Sequence, residues 1–130
     1  MTHTHEDLTL TLATAIRLGA AKRPQTTGTL YSEAEDATCV LGAAFEGVFG
    51  RLPDEDHGLD LLIERFPVLM VIADCPGAGC LEPTGWLLDC LCTHLNDAHR
   101  WTRESIADVV EPIEAIRARG GDHFLVRGGA

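Results

Sequence analysis

Apolar residues recur along this chain at helical intervals. Leu8, Leu12, Ala15, Ile16, Gly19 and Ala20 fall on one stripe, which predicts a first helix from about His5 to Lys22. Thr4 is its expected N-cap, and Glu6 and Asp7 fill the first turn. Pro24 stops it. The small residues Gly19, Ala20 and Ala21 would let a second helix approach closely. Cys39 to Phe49 is apolar on most faces, the mark of a helix central to a bundle, and Gly50 suits its C-terminal cap. Leu59 to Phe66 fits a short helix ended by Pro67. Trp86, Leu87, Cys90, Leu91 and His94 predict a helix over Pro83–Ala98. Thr102 should cap a last helix carrying Ile106, Val109, Val110 and Ile113, with Pro112 kinking or splitting it near Glu111 and Gly120-Gly121 ending it.

Strand signals are sparse. Thr29-Leu30-Tyr31 could pair briefly, and Val68 to Ile72 reads as a short strand. The pattern predicts a mainly α fold, a compact domain of four to six helices with at most one short β-hairpin. The first, second and Pro83–Ala98 helices should share its core. Residues 1–121 are expected to form this single domain, and residues 122–130 a C-terminal tail.

At 130 residues the chain can bury roughly two-thirds of its unfolded surface. No apolar run reaches the ~18 residues of a membrane helix. The formal net charge is −10, which opposes non-specific binding to nucleic acid and suits a basic protein partner. The first residues lack the pattern of a signal peptide. Five cysteines without that pattern fit reduced thiols and a cytoplasmic location better than a disulfide framework.

The decisive chemistry runs from the segment before the fourth predicted helix to just past the end of that helix. Cys75 and Cys80 are separated by Pro76-Gly77-Ala78-Gly79, thirteen residues follow, and His94 and His99 are again four residues apart. Cys-x4-Cys-x13-His-x4-His is the order and approximate spacing of a zinc-finger-like element, here residues 75–99. The two glycines allow the turn that brings two thiolates to one ion. Five positions along an ideal helix rotate a side chain by about 140° from its starting face, so the helix must tighten or break for His94 and His99 to face one ion. The expected ligands are Cys75, Cys80, His94 and His99, and the expected cofactor is structural Zn2+. Cys90 shares a stripe with His94 and could replace one of them, although a core thiol is the simpler role for both Cys90 and Cys92. Asp97 could orient a histidine from behind.

Other chemistry is thin. The chain has no phosphate-binding loop, dinucleotide fingerprint or nucleophile elbow. Cys39 at a helix start could be activated, against the simpler reading of a buried thiol. His3 and His5 could capture an ion, against a solvated pair. Three ligands instead of four, with Asp74 or Asp97 nearby, would make an open hydrolytic site. Arg100, Arg103, Arg117 and Arg119 form the basic cluster that could meet phosphate.

The stretch from His94 to Asp108, with the upstream cysteine pair and Cys39-Val40-Leu41-Gly42-Ala43-Ala44, resembles segments of short uncharacterised bacterial and bacteriophage helical proteins. That resemblance implies a zinc-bearing helical domain and no particular activity. The expectation is therefore a small, soluble, non-enzymatic interaction or accessory protein, phage-related through the resemblance, with a protein partner and no membrane. The alternative is a small nucleic-acid-associated regulator, and a zinc hydrolase comes third.

Overall fold

The structure is a computed structural model, and it describes residues 9–119. It contains α1 (Leu12–Ala20), β1 (Tyr31–Ser32), β2 (Ala37–Thr38), α2 (Val40–Phe49), α3 (Gly58–Arg65), a 3-10 turn (Pro67–Met70), β3 (Ile72–Ala73), β4 (Trp86–Leu87), α4 (Leu88–Asp97) and α5 (Arg103–Ala118). The mainly α class is borne out. The strands form two short antiparallel ladders, β1–β2 and β3–β4, one more than the single hairpin expected.

The first helix starts later than its stripe suggests. Thr11, not Thr4, is the N-cap, and its hydroxyl accepts from the Thr14 amide at 3.1 Å. The Leu12 and Ala13 amides donate to the Glu114 carboxylate of α5 at 2.6 and 2.9 Å. These acceptors satisfy the first turn at Leu12, so Thr9 and Leu10 are not helical. Thr4, Glu6 and Asp7 lie outside the described residues, as do Gly120, Gly121 and the tail expected at 122–130.

The Pro83–Ala98 helix is likewise shorter, running over Leu88–Asp97. Trp86 and Leu87 pair instead with Ala73 and Ile72, and the Leu88 amide continues this pairing to Val71 O at 2.8 Å. The strand expected at Val68–Ile72 is mostly the 3-10 turn, with Pro67 at its first position. Of the kink or split expected at Pro112, the split does not occur: α5 runs through Pro112 as one helix. Val110 and Ile113 are both fully buried, so the segments on either side of the proline stay on one core. Thr102 caps α5 as expected, accepting from the Ser105 amide at 3.1 Å.

The core is one cluster drawn from all five helices, including Leu12, Ile16, Phe45, Leu62, Leu91 and Ile106. Its centre is the α1–α2 crossing, where glycines set the distance. A Cβ on Gly19 would overlap the Ala43 carbonyl, and one on Gly47 would overlap the Ala15 carbonyl. Gly47, which weakens α2 in isolation, therefore permits its packing against α1.

A buried amide fixes α4 against this pair. Asn96 is fully buried. Its Oδ1 accepts from the Val40 amide at 3.0 Å and from Gln25 Nε2 at 2.9 Å. Its Nδ2 donates to Thr26 O at 2.9 Å and to Asp97 Oδ1 at 2.7 Å.

The crossing yields a direct test. Gly47→Ala places a methyl group where neither backbone can retreat, and should lower the unfolding free energy by about 3 kcal/mol. Alanine at the exposed Thr93 should change it by about 0.5 kcal/mol or less. Urea denaturation at constant slope measures both.

Candidate metal centre

The β3–β4 ladder and a single backbone bond shape the cysteine loop. β3 leads towards Cys75, β4 follows the loop, and the Cys75 amide donates to Pro83 O at 2.6 Å. Within the loop, the Cys80 amide reaches Gly77 O at 3.3 Å, and Gly79 takes a positive φ of 71°. The turn expected from Pro76-Gly77-Ala78-Gly79 is thus made.

The two histidines meet because α4 ends between them. The Ala98 and His99 amides both donate to His94 O, at 2.9 and 3.2 Å, so the last turn widens. Arg100 then adopts a left-handed φ of 59°, and the Trp101 amide returns to Leu95 O at 3.0 Å. Helix termination thereby removes the rotation that would have separated the two rings.

One donor atom from each of Cys75, Cys80, His94 and His99 lies within 4.8 Å of the others. Cys75 Sγ is 3.6 Å from His99 Nε2, and Cys80 Sγ is 3.4 Å from His94 Nε2. The imidazole planes stand edge to face, at 88°. This Cys2His2 group could hold a metal ion. Cys75 is buried and the other three are partly exposed. Cys80, His94 and His99 line an open depression of about 590 Å3, together with Leu81, Glu82 and Ala98.

Burial raises the Cys75 thiol above its ordinary pKa; the Gly77 amide at 3.4 Å opposes this, and the Cys80 side chain adds to it. Burial, with His99 beside it, lowers the pKa of His94 and favours the neutral ring that can act as a ligand. An incoming cation would replace the Cys75 proton.

Two supporting residues were not legible as such. Trp86 was expected on a helical stripe, but β4 lays its indole over His94, with ring centres 4.2 Å apart and planes 22° apart. The indole N–H donates to Glu82 O at 2.6 Å. Gly77 was expected for its turn freedom, yet its larger role is to make room. A Cβ there would come within 2.5–2.8 Å of three His99 ring atoms.

Several other expectations change. Cys90 is exposed, and neither it nor Cys92 joins the donor group. Cys92 is the core thiol expected, with its pKa pushed up by burial. Cys39 is also buried, and burial raises its pKa despite the helix start; its sulfur caps α2 by accepting from the Gly42 amide at 3.4 Å. Asp97 is engaged elsewhere, accepting from Asn96 and from the Gly28 amide. Asp74 keeps one buried carboxylate oxygen without a hydrogen-bond partner among the described residues. His3 and His5 lie outside those residues.

The basic cluster loses a member. Arg103 is only 5% exposed and donates to Thr38 Oγ1 at 2.9 Å and Arg23 O at 2.7 Å. It is an internal brace, leaving Arg100, Arg117 and Arg119 of the expected four nearer solvent.

No family model, curated protein or solved structure matches the chain. The donor group and its surroundings therefore carry the functional argument. Gly77→Ala should push the His99 ring aside and weaken metal binding at least tenfold, a loss comparable to that from removing a supporting contact around a metal ligand. Competition against a chromogenic chelator measures it. Because Trp86 stacks on His94, its emission in a Trp101→Phe background should shift on metal addition.

Proposed function

We propose that this protein is a small, non-enzymatic interaction module held in shape by one structural Zn2+ on Cys75, Cys80, His94 and His99. The observation that carries the metal reading is the spacing of the donors. A tetrahedron with Zn–S of about 2.3 Å and Zn–N of about 2.0–2.1 Å has sulfur-to-nitrogen edges of about 3.5–3.6 Å. The two cross-pairs here measure 3.6 and 3.4 Å. Two thiolates and two imidazoles suit zinc, and four protein ligands leave no coordination position for substrate. Those features favour a structural ion over the hydrolytic alternative.

The partner reading rests on what surrounds the site. The exposed large hydrophobic residues among those described are Leu18, Met70, Ile72 and Leu81. Three of the four lie within residues 70–81, beside or inside the cysteine loop. Leu81 is 96% exposed and follows a metal ligand directly. Apolar side chains held out by a rigid loop suit a protein partner, and the acidic chain favours one with basic flanks. A phage-related accessory role is the form suggested by the sequence resemblance. Burial of Arg103 weighs against the nucleic-acid alternative. No described helix is long and apolar enough to cross a membrane.

Two experiments test this reading. Untagged protein should contain one equivalent of zinc, show a tetrahedral visible spectrum when cobalt replaces it, and melt at lower temperature after chelation. Metal-free protein with an unchanged melting temperature would refute the structural role. Leu81→Asp should keep zinc and melting temperature while abolishing capture of a partner from bacterial lysate at both low and high salt. Undiminished capture would remove the loop from the interface.

A further inference from the structure

We propose that the metal centre is a peroxide-responsive switch, in which Cys75 and Cys80 oxidise to a disulfide and release the ion. The inference rests on the zinc reading above and adds regulation of the same site. Three observations carry it. The two sulfurs belong to a donor group whose atoms all lie within 4.8 Å. Their exposure is unequal: Cys80 lines the open depression while Cys75 is buried at 8% exposure. The connecting loop contains Gly77 and Gly79, the latter already at φ 71°, so its backbone can tighten to disulfide geometry.

The asymmetry assigns the steps. A metal-bound thiolate remains a nucleophile, and reactivity follows thiolate character and access. Cys80 sulfur attacks one oxygen of hydrogen peroxide. The O–O bond breaks, the departing hydroxide takes a proton to become water, and Cys80 becomes a sulfenic acid. The Cys75 thiolate then attacks the Cys80 sulfur from inside the loop. The S–S bond forms as hydroxide leaves, and a second proton converts it to water. Two thiolates, one peroxide and two protons thus give one disulfide and two waters. The thiolates supply both electrons, and the zinc remains divalent. Zinc keeps only two imidazoles and is released. The other thiols do not compete for this role: Cys39 and Cys92 are buried, and Cys90 is exposed but stands outside the donor group.

The consequence reaches the exposed loop. Once the ion leaves, Leu81 sits on a loop held by the β3–β4 ladder and the new disulfide, no longer fixed to His94 and His99. Oxidation would therefore change the surface assigned to the partner while leaving the α1–α2 crossing in place.

The test uses the zinc-loaded full chain with the Cys90→Ser substitution, which removes the exposed bystander thiol. Stoichiometric hydrogen peroxide is added while a chromogenic chelator reports free zinc and peptide mass spectrometry maps cross-links. The expected result is one zinc released per Cys75–Cys80 disulfide, with rebinding after a thiol reductant and zinc are supplied. Zinc retained under peroxide would overturn the switch, as would release accompanied by sulfinic or sulfonic acid without the disulfide. A chain that binds no zinc before peroxide would overturn the metal reading and the switch together, whereas zinc that binds but resists peroxide overturns the switch alone.

Discussion

The position of α4 depends on one buried side chain. Asn96 spends both amide protons and its carbonyl oxygen on partners inside the protein, tying α4 to the start of α2 and to the Gln25–Thr26 segment. It lies between His94 and His99 in sequence, so the segment carrying the imidazoles is anchored to the central helix pair. Buried amides leave large penalties when a partner is lost, which gives this junction one favoured arrangement. The donor group is thus attached to the core by hydrogen bonding on one side and by the β3–β4 ladder on the other.

Much of this was legible because local chemistry agreed with the final packing. The Thr102 cap, the Gly50 turn, the apolar α2 and the small face of α1 each express a short-range rule. The grouping of Cys75, Cys80, His94 and His99 was legible because donor type and spacing coincide, and the break needed between the histidines comes where α4 ends at Asp97. The misplaced boundaries share another cause. α1 starts at Leu12 because a carboxylate from α5 reaches its amides, and α4 starts at Leu88 because Trp86 and Leu87 find strand partners. Neither partner is visible within a helical period. Arg103 was misjudged for the same reason: its acceptors are Thr38 and backbone carbonyls far away in sequence.

The region around the donor group combines a packed base with an exposed rim. Trp86 covers one face of His94, Gly77 lies against the ring of His99, and neither residue offers a reacting group. Beyond them, Leu81 stands in solvent where a closed metal centre would hold its backbone. On the proposed reading two tasks are separated: a bound ion and its neighbours would set the loop shape, and the side chains outside would carry recognition. A change of ligand chemistry at such a site would then alter the displayed surface without reorganising the hydrophobic core.

The Glu114 contact with α1 also bears on the order in which the chain folds. Its carboxylate meets the Leu12 amide across a separation of 102 residues. During synthesis, α1 would emerge long before this acceptor and would have to wait with a frayed first turn. Nucleation by the close crossing with α2 can begin earlier, because those helices are neighbours in the chain. Contacts of large separation are slow to form, so docking of α5 becomes a late event in folding, and the start of the first described helix is among the last parts to settle.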